Sequence, residues 1–384
     1  MRIMSRMGIG IRTAQVRSER LVGQIHVYDG AGKGKSQAAL GVVLRSIGLG
    51  INTDLATRVL LLRFLKGPGR SYDEDGAIAA LQQGFPHLID QVRTGRSEFF
   101  GAEEITRFDR QEAQRGWDVA KGAIASDLYS VLVLDELNPL LDLGLLPVEE
   151  VVRTLKHKPQ ELEVIVTGRA APQQLLEIAD LHSEMKPHHP ITEGRDGVSL
   201  PLQGIEIYTG AGKGKSTSAL GKALQAIGRG ISQDQSHRVL IMQWLKGGTG
   251  YTEDAAIAAL QQSYPNLVDH QRCGQDAIVW RGQQQELDYV EAERGWEIAR
   301  AAIASGLYKT IILDELNPTV DLELLDQQPI VDALLRKPRD TEVIITGRCL
   351  NRPAYFDLAS VHSEMICHKH YADRGVDLKR GVDF

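Results

Sequence analysis

The sequence predicts an α/β protein made of two tandem P-loop NTPase-like domains, each a mostly parallel sheet with helices on both faces. Three observations lead there. Tyr28-Asp-Gly-Ala-Gly-Lys-Gly-Lys-Ser36 recurs as Tyr208-Thr-Gly-Ala-Gly-Lys-Gly-Lys-Ser216. Other matching segments follow at the same offset of about 180 residues, which is domain-sized and too long for a solenoid unit. Within each copy, short apolar runs alternate with helical patterns, the signature of a parallel sheet with crossover helices.

The elements follow in order. A strand from Ile25 to Tyr28 enters the glycine loop, and an Ala/Leu-rich helix leaves it and stops near Gly48 or Gly50. A strand over Val59 to Phe64 precedes a helix around Glu74 to Gln83. A long amphipathic helix reaches Ala125 before the apolar strand Val131 to Leu134. A helix near Val148 to Leu155 leads to the strand Val164 to Val166. The second copy repeats the order, with Arg238-Val-Leu-Ile-Met for Arg58-Val-Leu-Leu-Leu and Leu313-Asp-Glu-Leu-Asn-Pro318 for Leu134-Asp-Glu-Leu-Asn-Pro139. The domains are expected over residues 22–195 and 202–384, each with its own core. The join is expected between Lys186 and Gln203, a stretch rich in Pro, His, Gly and charge.

A length of 384 residues suits two domains, and 42% hydrophobic with 24% charged residues is the composition of a globular protein. A net charge of -6 gives no electrostatic reason to expect a nucleic-acid partner. No run is long and apolar enough for a transmembrane helix, and Met1 to Gly10 lacks a secretory pattern. Cys273, Cys349 and Cys367 are odd in number and not closely spaced, as for reduced thiols in a cytoplasmic protein.

The chemistry concentrates at the repeated loop. Gly30, Gly32 and Gly34 let the backbone bend and turn its N–H groups inward, while the helix N-terminus adds positive potential. Lys35 supplies a point charge and Ser36 a hydroxyl for Mg²⁺, with Lys33 between Gly32 and Gly34 in the loop. Gly210, Gly212, Lys213, Gly214, Lys215, Ser216 and Thr217 form the second loop. The position of the usual first glycine holds Asp29 in one copy and Thr209 in the other. Asp29 places a carboxylate near phosphates, a short-range penalty, so the second loop suits a triphosphate better. Apolar strands ending in Asp135-Glu136 and Asp314-Glu315 have the form of the acidic motif that orients Mg²⁺, the alternative being helix-capping carboxylates. Thr346-Gly-Arg348 could bring a guanidinium to phosphate, and Lys246 with Gly247 and Gly248 stands at another strand end. Either could instead be a turn with a solvated charge. His188-His189 and Cys367-His368-Lys-His370 lack a four-ligand pattern and read as solvated loop, and Trp117 and Trp296 read as core anchors.

Taken together, these motifs resemble the P-loop ATP:corrinoid adenosyltransferases, the CobA/CobO/BtuR family, over nearly all of each half. The resemblance rests on the second phosphate loop with Thr209 in first position, Gln243-Trp-Leu-Lys-Gly247, Leu313-Asp-Glu-Leu316, Val343-Ile-Ile-Thr-Gly-Arg348, Ser363-Glu-Met365, and the tail His370-Tyr-Ala-Asp-Arg-Gly-Val through Gly381-Val-Asp-Phe384. It implies that a reduced cobalt(I) corrinoid attacks the 5′ carbon of ATP and releases triphosphate. The loop then holds the leaving group, with Lys215, Ser216 and Mg²⁺ neutralising its developing charge and with Lys35 and Arg348 as further candidate catalytic residues. It further implies a flavoprotein reductant and, because members are commonly dimers, a pseudo-dimer inside the tandem chain. The family's aromatic segment against the corrinoid maps to Phe99 and Phe100 in one half and Trp280 in the other, with altered spacing. Asp29, Gln37 and Arg63 stand where the second half has Thr209, Thr217 and Gln243, so the second half is expected to be the main site. The alternative is a P-loop NTPase or nucleotide-dependent regulatory protein that has lost corrinoid chemistry.

Overall fold

The computed structural model describes residues 22–53, 57–96, 98, 100–189, 204–233 and 236–384. The first half runs β1 (Ile25–Asp29), α1 (Lys35–Asn52), β2 (Val59–Arg63), α2 (Asp75–Gly84), β3 (Ile89–Arg93), α3 (Arg107–Ser126), β4 (Val131–Asp135), α4 (Leu137–Asp142), α5 (Val148–Lys156), β5 (Glu163–Thr167), α6 (Gln173–Ile178) and β6 (Leu181–His189). The second half runs β7 (Ile205–Thr209), α7 (Lys215–Ser232), β8 (Arg238–Gln243), α8 (Glu253–Ser263), β9 (Val268–Arg272), α9 (Glu286–Ser305), β10 (Tyr308–Asp314), α10 (Leu316–Asp321), α11 (Gln327–Arg336), β11 (Glu342–Thr346) and β12 (Val361–Lys369). The strands anticipated from apolar runs therefore lie where expected, to within a residue or two at their ends.

Strands within each half are all parallel, and runs such as Val131–Asp135 are buried along their whole length because helices cover both faces. The sheet does not stop at the join. Its order is β3-β2-β4-β5-β1-β6-β12-β7-β11-β10-β8-β9, so the second half repeats the first in reverse. β6 and β12 meet antiparallel, with Met185 opposite Met365. The stretch from Lys186 to His189, expected to open the join, is thus strand, as are His188, Cys367 and His368, which had read as loop. Its polar sequence hid this, because the strand's partner lies about 180 residues away.

Nor are the cores separate. On one face, α1, α2, α7 and α8 bury a single apolar cluster that includes Leu44, Ile47, Ile78, Leu224, Ile227 and Ile257. α1 and α7 touch backbone to backbone there: a Cβ on Gly41 would lie 1.9 Å from the Thr217 carbonyl oxygen, and one on Gly221 would lie 1.9 Å from that of Gln37. On the other face each half keeps its own cluster, around Trp117 in the first and Trp296 in the second, both core anchors as read. No described helix is long and apolar enough to cross a membrane.

Candidate functional site

Each glycine loop joins the carboxyl end of a central strand to a helix N-terminus, where four N–H groups lack intrahelical partners. Gly30 and Gly34 have φ of 96° and 114°, and Gly210 and Gly214 have 96° and 118°, a left-handed backbone that glycine adopts without strain. The Gly32 amide donates to the Met185 carbonyl at 2.6 Å, and Gly212 does the same to Met365. The loops are thereby pinned to the two strands that form the seam. Lys35 and Lys215 curl over their loops, donating to the carbonyls of Gly32 and Gly212 at 2.6 and 2.7 Å. Burial pulls both ammonium groups down to about 8, against the neighbouring Glu136 and Glu315 carboxylates, which act to raise them. A buried lysine with no full ion pair of its own is the cation a phosphate would neutralise.

The acidic strand ends lie beside these lysines. Thr167 Oγ1 donates to Asp135 at 2.7 Å, and Thr346 Oγ1 to Asp314 at 2.6 Å. Lys66 and Lys246 pair with the second oxygens of Asp135 and Asp314, each at 2.5 Å. Burial opposes ionisation, but these lysines and threonines hold both carboxyls below the usual range. Glu136 and Glu315 follow with φ of 63° and 62°, an unusual left-handed setting for a side-chain-bearing residue. That kink turns Glu136 Oε1 toward Ser36 Oγ at 3.5 Å and Glu315 Oε1 toward Ser216 Oγ at 3.0 Å. Neither glutamate caps its following helix with its side chain, so the capping alternative fails.

The remaining expected residues divide. Arg348 is exposed and reaches over the second loop, donating to the Ala211 carbonyl at 3.3 Å. The Lys33 side chain is exposed, but the Lys213 ammonium is taken by Asp383 and Tyr371 of the C-terminal tail. Only the Lys213 backbone is then left for a ligand. Asp29 turns one oxygen toward the Ala171 amide at 3.3 Å, while Thr209 bonds His362 at 2.9 Å. Phe100 is half-buried under the Arg96 guanidinium, Trp280 is 49% exposed on the loop after β9, and Phe99 lies outside the described residues. The loops after β3 and β9 are tied to the turns bearing Lys66 and Lys246 through Lys66 N to Thr94 O and Lys246 N to Cys273 O.

Sequence reasoning gave no role to Lys66, Thr167 or Thr346, named Gln243 only as a family motif residue and a difference between the halves, and left Lys246 open between ligand and solvent. Lys246 is instead a buried counter-ion for Asp314. Its repeated position at a strand end beside an acidic strand was the available signal. Gln243 donates to Asp314 at 2.9 Å, whereas Arg63 stands 3.8 Å from Asp135. The two sites therefore differ in charge as well as in their first loop residue.

Residues 22–199 and again 202–384 match the family described as ATP:corrinoid adenosyltransferase BtuR/CobO/CobP. An uncharacterized protein of Nostoc sp. is 81% identical over 99% of this chain and 100% of its own length. The corrinoid adenosyltransferase of Escherichia coli is 32% identical over 179 residues, 47% of this chain and 83% of that protein. The corrinoid adenosyltransferase CobA of Salmonella typhimurium is 32% identical over 47% of this chain and 85% of its own length. Such relatives correspond to one half of the chain at a time.

Proposed function

Because this chain belongs to the ATP:corrinoid adenosyltransferase family, twice over, we propose that it transfers the 5′-deoxyadenosyl group of ATP to a cobalt(I) corrinoid. In that reaction a cobalt–carbon bond forms, the bond from C5′ to the triphosphate oxygen breaks, and triphosphate leaves. The observation that carries the reading is the buried Lys215, lying over a glycine loop at a helix N-terminus with Ser216, Glu315 and Asp314 beside it. Lys215 and the loop amides bind the leaving group and offset the charge it gains. Arg348 closes over the outer side of the same loop.

The donor set fits Mg²⁺, which prefers oxygen ligands and is held by one or two carboxylates plus phosphates. Ser216 and Glu315 would hold it, with Asp314 acting through water because Thr346, Lys246 and Gln243 already occupy its oxygens. Ser36, Glu136 and Asp135 are the first half's counterparts. When bound, the ion would neutralise triphosphate charge. Exposed Trp280 offers an apolar surface for the corrinoid at the same end of the second half's strands, and Phe100 does so in the first half.

The second half is the main catalytic site and the first is weakened or regulatory. Asp29, Arg63 beside Asp135, and the longer Ser36–Glu136 contact all support that ordering. The antiparallel seam supports reading residues 22–195 and 202–384 as a pseudo-dimer within one chain. Family membership suggests a flavoprotein or similar reductant, with the cytoplasm as the setting. The test is product identity with ATP, Mg²⁺ and chemically reduced cobalamin. Adenosylated corrinoid with triphosphate is expected. ADP and phosphate without a cobalt–carbon bond would favour the nucleotide-hydrolysing alternative, to which Asp29 and the altered aromatic spacing lend weight.

A further inference from the structure

α2 and α8 each bring one buried glutamate to the shared core, Glu74 at 2% and Glu253 at 0% exposure. Burying a carboxylate requires a partner, and the two halves supply it differently. Glu74 is paired within its own half by Arg63 of β2. Its other oxygen accepts from Gln225 of the opposite half at 3.1 Å. In the second half, the place of Arg63 is taken by Gln243, which turns instead to Asp314, His270 and Arg272. Glu253 receives its arginine from across the seam: Arg45 of α1 donates Nε at 3.2 Å. Arg45 is itself buried, and its Nη1 donates to Thr217 Oγ1 at 3.0 Å and to the Val382 carbonyl at 3.4 Å. Thr217 is the residue next to Ser216. The counterpart contact on the first loop is a neutral one, Gln37 to Gln225 at 3.4 Å.

We propose that Arg45 is a positioning residue for the second nucleotide site, supplied by the first half, and that the halves are matched as unlike partners. This rests on the second loop being a nucleotide site, as read above. Two copies of the second half packed together would set Gln225 against Glu253 and leave a buried carboxylate with no arginine bonded to it, only the more distant charges of Lys246 and Arg272. Two copies of the first half would crowd Arg45 onto a Glu74 that already holds Arg63. Only the unlike pairing gives each glutamate one guanidinium. The first half, whatever its own turnover, is then a fixed support for the second: through Arg45 it holds the start of α7, and with it Ser216.

The experiment uses the full chain in a Lys35→Ala background, so that ATP binding reads the second site. Arg45→Gln is expected to lower the melting temperature and to weaken Mg·ATP binding about tenfold, the effect of losing a hydrogen bond to a charged group. Arg45→Lys should recover part of both. Arg45→Gln combined with Glu253→Gln removes the lone charge, so the melting temperature should return. ATP affinity should stay reduced, because Thr217 remains unsupported. A folded Arg45→Gln protein with unchanged ATP affinity, or a double variant that recovers both properties together, would overturn the positioning role. No ATP binding by Lys35→Ala protein with Arg45 intact would overturn the reading of the second site itself, and this proposal with it. The readout is nucleotide binding, so a failure of corrinoid chemistry alone does not alter it.

Discussion

Asp383→Asn probes how the C-terminal tail is held against the second glycine loop. Asp383 is 1% exposed at its side chain and pairs with the Lys213 ammonium, while Tyr371 Oη donates to the same carboxylate at 2.6 Å. The tail on either side of it is fastened to both halves. Ser46 donates to the Gly381 carbonyl at 2.7 Å, Thr252 to that of Phe384 at 2.8 Å, and Lys379 pairs with Glu163 at 3.0 Å. Replacing the carboxylate with an amide leaves the Lys213 ammonium, which burial already disfavours, largely buried and without its carboxylate partner. Breaking a buried pair in this way costs about 3 kcal/mol, the lower end of the usual range because the amide keeps a hydrogen bond. An unfolding entropy of about 2 cal/mol/K per residue amounts to about 0.8 kcal/mol/K for a chain of this size melting as one unit, as its shared core implies. The melting temperature should therefore fall by about 4 °C. Calorimetry on the purified chain measures this, and limited trypsin digestion should show faster cleavage at Lys379 and Arg380. An unchanged melting temperature together with unchanged cleavage would refute the claim that this pair holds the tail.

Three further outcomes are expected. Lys215, drawn down to about 8, carries its charge below that pH, so Mg·ATP affinity should be full near pH 7 and decline as pH rises through about 8; affinity flat from pH 7 to 9.5 would contradict the role of the ammonium. Trp280→Ala should raise the KM for corrinoid several-fold and leave that for ATP unchanged, since the side chain is exposed and outside the core; steady-state kinetics with each substrate varied decides it. Arg63→Gln should destabilise the chain, because Glu74 then keeps only neutral partners at 2% exposure. A loss of about 3 kcal/mol is expected in chemical denaturation, and no loss would mean that Gln225 suffices.

The parts of this molecule written in local sequence were legible. The loop from Gly30 to Ser36 declares its own geometry, because closely spaced glycines before a helix permit the left-handed turns found at Gly30 and Gly34. Apolar runs such as Val131 to Leu134 declare buried parallel strands for the same local reason. What lay between distant segments was not legible. The strand from Lys186 to His189 has a loop's composition and becomes strand only by meeting β12. The Ala- and Gly-rich character of α1 signalled a helix, but not that Gly41 would admit the backbone of α7. Asp135 and Asp314 were found from the strand-end motif, yet their lysine partners come from the turn after a different strand, which spacing alone does not connect. The left-handed φ of Glu136 and Glu315 left no trace in sequence, because glutamate does not advertise that conformation as glycine does.

The claim that the two loops are unequal is tested most directly by adenosyl transfer with Lys35→Ala and Lys215→Ala proteins side by side, measured as triphosphate and cobalt–carbon bond formed per chain. Lys215→Ala should lose about a hundredfold or more of the rate, as when a donor to developing negative charge is removed, while Lys35→Ala should keep most of it. Loss of activity from Lys35→Ala alone, with Lys215→Ala still turning over, would contradict the account.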